Sequence, residues 1–356
     1  MLFDAGLTKD FAETGVHAAR LESEGFDGAW IGETRHDPFM QMLEAARPTA
    51  TMTVGTAVAI AFARSPMTVA NSAHDLAAYS QGRFVLGLGS QVRPHIERRF
   101  AMPWSSPAAR MREFVLAMRA IWRSWQDGER LDFRGDFYSH TLMTPFFAPP
   151  AHEWGVPPVY LAGVGPMMTE VAGEVADGFF VHAFTTPRYL REVTLPALGR
   201  GRQRRDGAIA SDKGAFEGLH IAGPVFACVG RNDAELAVAI SGTKAQIAFY
   251  ASTQAYRGVL ELHGWGDLQP ELTGLSKQGR WTDMADAIDD SMLHTFAVVG
   301  DPETVGTGIA ERFGQMMTRA MFYAPYDHDP RIWTEVLNAA RHSPTDAQST
   351  TKANPR

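Results

Sequence analysis

Cysteine is nearly absent from the sequence, and its scarcity excludes several kinds of site. Among the 356 residues there is one cysteine, Cys228. The chain can therefore form neither an internal disulfide nor a zinc site of several thiolates, which is typical of proteins from a reducing compartment. We expect Cys228 to be a small buried apolar residue, because a lone cysteine is more often that than a nucleophile.

The chain also lacks an excess of positive charge and a long hydrophobic run. Lys and Arg number 33 against 40 Asp and Glu, which gives a formal net charge of −7. Nucleic acid and anionic lipid bind dense basic faces, so neither is an expected partner. No stretch of about 18 apolar residues occurs, and the N-terminus shows no secretory signal pattern. The sequence therefore predicts a soluble cytoplasmic protein.

Motifs of several enzyme classes are missing as well. No G-x-G-x-x-G fingerprint follows the first strand candidate, which argues against an open dinucleotide-binding sheet. The 12 histidines form neither His-x-His nor His-Glu-x-x-His, so no metal ligands are predicted and a metal-dependent hydrolase is a distant alternative. No Gly-x-Ser-x-Gly elbow is present, which argues against the hydrolases built on that turn.

The sequence has instead a regular alternation of short apolar runs and amphipathic helical segments. This alternation is typical of repeated βα units around a parallel sheet. Ser-Pro at 65–66 and 106–107 and Asp-Pro at 301–302 supply start signals for three of the helices. A (β/α)8 barrel with loop insertions is the predicted fold. The eight strand candidates are residues 2–5, 28–32, 53–61, 83–88, 159–163, 178–183, 223–229 and 319–324.

We predict one barrel domain over residues 1–341 and a flexible tail at 342–356. Segments rich in Gly, Pro and aromatic residues interrupt the alternation near 91–106, 126–158 and 263–280. Long βα loops form the mouth of a barrel's active site, so we expect these insertions there. Within the second, the alternating stretch 131–138 predicts either a hairpin over the mouth or a surface decoration. The polar, Gly-rich stretch 199–218 predicts an exposed loop.

Two strand ends carry glycines that fit a phosphate or a flat ring. After the fifth strand, Ala162-Gly163-Val164-Gly165 leads directly into a helix, whose N-terminus can hold a phosphate. After the fourth, the stretch Gly87-Leu88-Gly89-Ser90-Gln91 permits either close approach of a ring to the main chain or tight packing at a barrel corner. Both interpretations remain open from the residues alone.

Charged residues follow the second and fourth strands. Glu33 and His36 follow the second strand, where barrel enzymes place groups that transfer protons. A structural role for His36 is the alternative, and Asp37-Pro38 can simply start the next helix. Beyond the fourth strand lies a basic island, which predicts either attraction of an anionic tail or a solvated helix face with internal ion pairs. The island consists of Arg93, Arg98, Arg99, Arg110 and Arg112.

Several of these segments resemble the luciferase-like superfamily of flavin- and F420-dependent enzymes. The resemblance extends roughly from Leu2 to Asp327 and is strongest to the actinobacterial F420-dependent branch at residues 33–39 and 90–100. Other matching segments are Gly55-Thr56-Ala57-Val58, Ser65-Pro66, Gly82-Arg83-Phe84, Gly87-Leu88-Gly89-Ser90, Met102-Pro103-Trp104, Arg110-Met111-Arg112-Glu113, Ala162-Gly163-Val164-Gly165-Pro166, Gly173-Glu174-Val175-Ala176-Asp177-Gly178 and Val299-Gly300-Asp301-Pro302-Glu303.

The resemblance implies an oxidoreductase that passes a hydride between deazaflavin F420 and an unidentified small organic substrate. It implies a non-proline cis peptide bond between Ala57 and Val58, where these residues would back the central ring of the cofactor. Family habit implies a homodimer. The remaining cofactor contacts that the resemblance implies are Ser90 and Gln91 at the ribityl or phosphate portion, and Ala162, Gly163, Val164 and Gly165 at the phosphate.

The resemblance is less specific about the residues that transfer the proton and about the substrate than about the cofactor contacts. Glu33 and His36 are our candidates for moving the proton, with His182 in reserve. F420-dependent sugar-phosphate dehydrogenases of the superfamily carry a Glu just after the fourth strand, where Gln91 or Val92 stands here, so we do not expect oxidation of glucose 6-phosphate. Two alternatives stay open: an FMN-dependent luciferase-like monooxygenase on the same scaffold, and a non-catalytic flavin-binding protein.

Overall fold

The computed structural model describes residues 1–7, 10–206 and 218–343. Its strands are β1 (Leu2–Gly6), β2 (Gly28–Ile31), β3 (Thr53–Thr56), β4 (Ala59–Ile60), β5 (Phe84–Gly89), β6 (Phe133–Arg134), β7 (Ser139–His140), β8 (Val159–Ala162), β9 (Gly178–Phe180), β10 (His220–Val229), β11 (Ala297–Gly300) and β12 (Arg319–Tyr323). Its helices are α1 (Thr14–Ser23), α2 (Pro38–Ala46), α3 (Pro66–Tyr79), α4 (Pro107–Gln126), α5 (Pro166–Val175), α6 (Pro187–Tyr189), α7 (Leu195–Asp206), α8 (Asp233–Ala251), α9 (Arg257–Leu262), α10 (Leu268–Lys277), α11 (Trp281–Asp286), α12 (Asp290–Phe296), α13 (Pro302–Phe313) and α14 (Ile332–Arg341).

Eight of the strands form a closed parallel ladder. Their order is β12-β1-β2-β3-β5-β8-β9-β10, and β10 pairs with β12, so that the ladder returns to its start. The short strand β4 follows β3 and pairs with β5, while β11 pairs with the second half of β10. Each of the eight strands overlaps one predicted strand, and the predicted (β/α)8 barrel is confirmed.

The chain divides into two compact units. The N-terminal unit comprises Asp4–Phe180 and Pro196–His220, and the C-terminal unit comprises Met1–Phe3, Val181–Leu195 and Ile221–Arg356. The single domain over residues 1–341 stays a prediction. The predicted flexible tail lies outside the described residues from position 344 onward.

In the N-terminal unit the barrel strands β2, β3, β5, β8 and β9 are mostly buried, and the helices expose one face. Every residue of β5 is buried, as expected of a parallel strand covered on both sides. Helix α4 buries the apolar stripe that its spacing predicts, including Phe114, Met118 and Trp122. Ser65 caps α3 through a capping box, so this predicted start signal is confirmed.

The C-terminal unit has its own apolar core. Phe226 and Cys228 of β10 are fully buried there against α8 and against Phe296 at the end of α12. The prediction that Cys228 is a buried apolar residue is confirmed, and burial raises the pKa of its thiol to about 11. Asp301 caps α13 by accepting a hydrogen bond from the Thr304 amide, as predicted from Asp-Pro.

Three of the predicted loops differ from the structure. Segment 126–158 joins the end of α4 to β8, so it is an αβ connection and not one of the βα loops expected at a barrel mouth. Segment 263–280 contains the helix α10, and residues 199–206 of the predicted exposed loop belong to α7. The rest of that loop, 207–217, lies outside the described residues.

The stretch 131–138 does contribute to a hairpin, formed by β6 and β7. Its turn lies against α4, where the Glu113 carboxylate accepts hydrogen bonds from the amides of Asp136, Phe137 and Tyr138. The hairpin is therefore anchored to the outer helix layer of the N-terminal unit. That the hairpin lies over the mouth of the barrel stays a prediction.

Candidate cofactor site

A bulge interrupts the third barrel strand between β3 and β4. The peptide bond between Ala57 and Val58 is cis, which confirms the prediction made from the resemblance. One hydrogen bond on each side of the cis bond fixes the bulge. The Ala57 amide donates to the Ile31 carbonyl at 2.7 Å, and the Glu33 amide donates to the Val58 carbonyl at 3.0 Å. The bulge is thereby joined to the end of β2.

The glycines of β5 make room for this bulge. A Cβ atom at Gly87 would overlap the carbonyl oxygen of Thr56, and one at Gly89 would lie 2.6 Å from Cγ2 of Val58. Thr56 locks the contact, because its hydroxyl donates to the Gly87 carbonyl at 2.7 Å and accepts from the Gly87 amide at 2.9 Å. Of the two interpretations of these glycines, the structure bears out tight packing at this corner of the barrel.

Glu33 takes part in the densest polar network at these strand ends. Its carboxylate oxygen Oε2 accepts from the Ile60 amide at 2.8 Å and pairs with the Arg64 guanidinium at 2.6 Å. The Glu33 side chain is 7% exposed, so this pair is largely shielded from water. For the second oxygen, Oε1, no donor is found in the part of the chain that the structure describes. One carboxylate oxygen is thus anchored, and the other is available.

Arg64 extends the network to the loop after β2. Its second amino group pairs with Asp37 at 2.8 Å, and its guanidinium carbon lies 5.5 Å from the centroid of the Phe39 ring. Asp37 also caps α2 by accepting from the Phe39 amide, as the Asp-Pro pattern predicts. Sequence reasoning missed Arg64, although its place directly before the Ser65-Pro66 helix start is a usable signal.

His36 and the two residues after the fourth barrel strand, Ser90 and Gln91, are more exposed than the Glu33 side chain. His36 lies at the surface with its ring 5.7 Å from that of Phe11. Gln91 adopts a left-handed backbone conformation with φ of 61°, and its side-chain oxygen accepts from the amide of Val92 at 2.9 Å. The Ser90 hydroxyl donates to the Gln91 carbonyl at 3.1 Å. Neither Gln91 nor Val92, one of which stands where sugar-phosphate dehydrogenases are expected to carry a Glu, bears a charge.

The segment after β8 has the features of an anion site. Gly165 is the N-cap of α5, and Pro166 occupies the first helical position. Within the described ranges, the amides of Val164 and Gly165 donate to no protein acceptor. Unpaired amides at the positive end of a ten-residue helix favour an anion such as phosphate. A Cβ atom at Gly165 would meet open space, so the loop is accessible there.

The structure separates the five arginines of the basic island. Arg93 pairs with Glu97, and Arg112 pairs with Glu174, as expected of a solvated helix face. Arg110 is buried between the rings of Phe62 and Tyr138. Arg99 donates to the carbonyl of Thr34, and Arg98 has no ionic partner in the described part of the chain. The last two are the arginines best able to contact an anionic tail.

His182 belongs to the C-terminal unit and follows β9. Burial lowers the pKa of its ring from 6.5 to about 4, so the ring is neutral at pH 7. Its Nδ1 accepts from the Phe184 amide at 3.1 Å, and its Nε2 lies 3.1 Å from the Tyr256 hydroxyl. A neutral imidazole with hydrogen bonds at both of its nitrogens is a poor proton donor. This weakens His182 as a reserve candidate for proton delivery.

No helix in the described part of the chain is long and apolar enough to cross a bilayer.

The chain is of the class of parallel (β/α)8 barrels, here with a bulge in the third barrel strand and a loop with unpaired amides after the fifth. Comparison with protein families makes this class specific: residues 4–319 match the model of the luciferase-like monooxygenase family. The chain belongs to this family. Its members are F420- or flavin-dependent oxidoreductases and monooxygenases, and the chain is accordingly an enzyme of oxidoreductase type.

Relatives of this chain are found in bacteria and archaea. An uncharacterized protein of Mycobacterium tuberculosis is 51% identical over 318 residues, which cover 89% of this chain and 92% of the relative. A 5,10-methylenetetrahydromethanopterin reductase of Methanolobus tindarius is 25% identical over 87% of this chain and 90% of its own. An F420-dependent glucose-6-phosphate dehydrogenase of Rhodococcus jostii is 30% identical over 57% of this chain and 62% of its own.

Solved structures share the fold at low sequence identity. The F420-dependent tetrahydromethanopterin reductase of Methanopyrus kandleri aligns with a TM-score of 0.74 at 20% identity, covering 95% of this chain and 97% of the other. An F420-dependent secondary alcohol dehydrogenase aligns with a TM-score of 0.68 at 18% identity, covering 96% and 99%. These structures bear out the barrel architecture.

Proposed function

We propose that this enzyme is an F420-dependent oxidoreductase acting on a small organic substrate. The observation that carries the proposal is the adjacency of β3, β5 and β8 in the N-terminal unit. Because parallel strands end at the same edge of a sheet, we infer that the bulge at Ala57-Val58, residues Ser90-Gln91 and the loop 162–165 share one surface. An F420-dependent glucose-6-phosphate dehydrogenase among the relatives and an F420-dependent reductase of the same fold support the choice of cofactor.

The residues of this surface fit a ring, a linker and a phosphate. Ala57 and Val58 present main chain and small side chains, which suits a flat ring lying against the bulge. Ser90 and Gln91 offer a hydroxyl and an amide for a polar linker. The unpaired amides of the loop 162–165 suit a phosphate, and Arg98 and Arg99 suit the acidic tail of F420. When bound, F420 supplies or accepts a hydride.

Glu33 and His36 are proposed to handle the proton of the reaction. Arg64 and the Ile60 amide hold Glu33 Oε2, which fixes the direction of Oε1. A fixed carboxylate oxygen can accept or return a proton without first losing conformational freedom. His36 is at the surface, so it can exchange a proton with solvent. Gln91 carries no charge, and we do not propose sugar-phosphate oxidation.

A titration that separates the ring from the phosphate and tail tests the proposal. The full-length protein is titrated with F420 and with Fo, the same deazaflavin without phosphate and glutamates, while cofactor fluorescence is recorded. We expect quenching by binding of F420, and weaker binding of Fo because the amides of the loop 162–165 lose their ligand. Equal binding of both would contradict the assigned phosphate site, and binding of neither would contradict the cofactor.

FMN dependence is the competing proposal, because FMN carries a comparable ring and phosphate. The exposed Arg98 favours the cofactor with the acidic tail. A cytoplasmic location, a homodimeric state and the absence of nucleic-acid and membrane partners stay predictions from the sequence.

A further inference from the structure

Four aromatic side chains with polar tips meet inside the C-terminal unit. They come from four different elements: His182 follows β9, Tyr250 lies near the end of α8, Tyr256 belongs to the turn 254–256, and Tyr323 ends β12. The His182 ring stacks on that of Tyr256 with centroids 4.5 Å apart and meets the edge of Tyr250 at 4.7 Å. All four side chains are partly exposed, so the aromatic cluster reaches the surface of the C-terminal unit.

The tautomer of His182 is fixed by its neighbours. A backbone amide can only donate, so the bond from the Phe184 amide leaves Nδ1 without a hydrogen. The neutral ring therefore carries its hydrogen on Nε2 and donates it to the Tyr256 hydroxyl oxygen at 3.1 Å. Tyr256 acts as the acceptor in this bond, and its own hydroxyl hydrogen is free to point elsewhere.

A count of hydrogens shows that the aromatic cluster has spare donors. The hydroxyls of Tyr250 and Tyr323 lie 3.1 Å apart, and either one can be the donor to the other. The hydroxyl that accepts retains a hydrogen of its own. Together with the hydrogen of Tyr256, two hydroxyl hydrogens have no acceptor in the part of the chain that the structure describes. These side chains are partly exposed, so their spare hydroxyl hydrogens can be donated to a ligand oxygen in place of water.

Within the described residues, the ring contacts of the aromatic cluster involve no charged side chain. Its rings pack on the apolar core of the C-terminal unit, against Phe184 and Phe226. Burial, and not a neighbouring ion, is the main cause that raises the pKa of Tyr256 to about 12. A phenol with so high a pKa keeps its hydrogen at neutral pH and acts as a hydrogen-bond donor. An anion would be desolvated here without a cation to compensate for it.

We propose that the aromatic cluster binds the carbonyl oxygen of an uncharged aromatic or apolar organic molecule, with the Tyr256 hydroxyl as the principal donor. The rings supply flat apolar surface, and the hydroxyls supply donors without acceptors, which matches a ketone or aldehyde. The same chemistry disfavours carboxylates and phosphates. This inference goes beyond the cofactor assignment and uses only residues of the C-terminal unit.

Three matched probes test the proposal on the full-length protein without cofactor. Binding of 4-fluoroacetophenone, 1-ethyl-4-fluorobenzene and 4-fluorobenzoate is measured by 19F NMR. The first carries a neutral carbonyl, the second has no oxygen, and the third carries a negative charge. We expect the ketone to bind about tenfold more tightly than either of the others, the effect of one well-formed hydrogen bond in an apolar site.

Two variants complete the test. Tyr256→Phe is expected to weaken ketone binding about tenfold and to leave ethylfluorobenzene unaffected. Tyr189→Phe is the control, since Tyr189 packs on the same core and its hydroxyl has no hydrogen-bond partner in the described residues. Unchanged ketone binding by Tyr256→Phe, equal or tighter binding of the benzoate, or binding of no probe would overturn the proposal. The last result would mean that the aromatic cluster holds only water. Because F420 is absent, none of these results bears on the cofactor.

Discussion

Arg64 and Glu33 form an ion pair of 2.6 Å that joins the end of β2 to the segment after the bulged third strand. The same guanidinium donates to the Ile60 carbonyl at 3.2 Å, and the Ile60 amide donates to Glu33. The three residues thus close a ring of hydrogen bonds around the proposed proton-handling carboxylate. Any change at Arg64 should therefore affect both stability and the cofactor surface.

Arg64→Ala is expected to lower the free energy of unfolding by about 3 kcal/mol, because it leaves the shielded Glu33 carboxylate without its partner. It should also weaken F420 binding, since the bulge loses its tie to the β2 loop. Urea unfolding and the fluorescence titration measure the two effects. Arg93→Ala is the control: it removes an exposed pair and should cost less than about 1 kcal/mol. Similar values for the two variants would contradict a special role for Arg64.

Two glycine substitutions test how the bulge is accommodated. Gly87→Ala should destabilise the protein by about 3 kcal/mol, because the new Cβ would overlap the carbonyl oxygen of Thr56. Gly165→Ala should change stability by less than about 1 kcal/mol, since its Cβ would meet open space. Urea unfolding of both variants is the measurement. A stable Gly87→Ala variant would show that the bulge is looser than described.

Acidification should destabilise the C-terminal unit through His182. Burial lowers the folded-state pKa of this ring from 6.5 to about 4, so between these values the unfolded chain binds a proton that the folded chain does not. The contribution of the neutral His182 ring to the free energy of unfolding is complete above pH 6.5 and is lost as pH falls toward 4. It amounts to about 3 kcal/mol.

His182→Gln isolates this contribution, because Gln can accept from the Phe184 amide and donate to Tyr256 without titrating. Stability measured from pH 7 to pH 4.5 should fall less steeply in the variant than in the wild-type protein. Parallel pH profiles would show that His182 is not the group that resists protonation.

The sequence predicts the barrel well because its signals are local. Apolar runs of strand length and Ser-Pro or Asp-Pro starts lie within a few residues of one another, and they place the strands and the starts of α3, α4 and α13. The strand β11 was missed because it pairs only with the second half of β10 and adds no unit to the barrel. For residues 199–206 of α7 the sequence predicts a loop, because glycine and charge there outweigh the signal for a helix that packs against α5.

The candidate site was predicted less completely because its contacts are distant in sequence. The cis bond is predicted through a resemblance to known motifs, whereas the loop 162–165 is predicted from its glycines and the helix that follows it, with the resemblance in support. Arg64 lies 31 residues from Glu33, and Tyr256 lies 74 residues from His182, so only the folded chain shows either pair. Spacing along the chain carries no signal for contacts of this kind.

Side-by-side titration with F420 and FMN shows which cofactor the barrel binds. The apoprotein is titrated with each cofactor while fluorescence quenching is recorded, and each is then used to compete with the other. We expect F420 to bind and FMN to displace it weakly or not at all. Tight binding of FMN without binding of F420 would contradict this expectation.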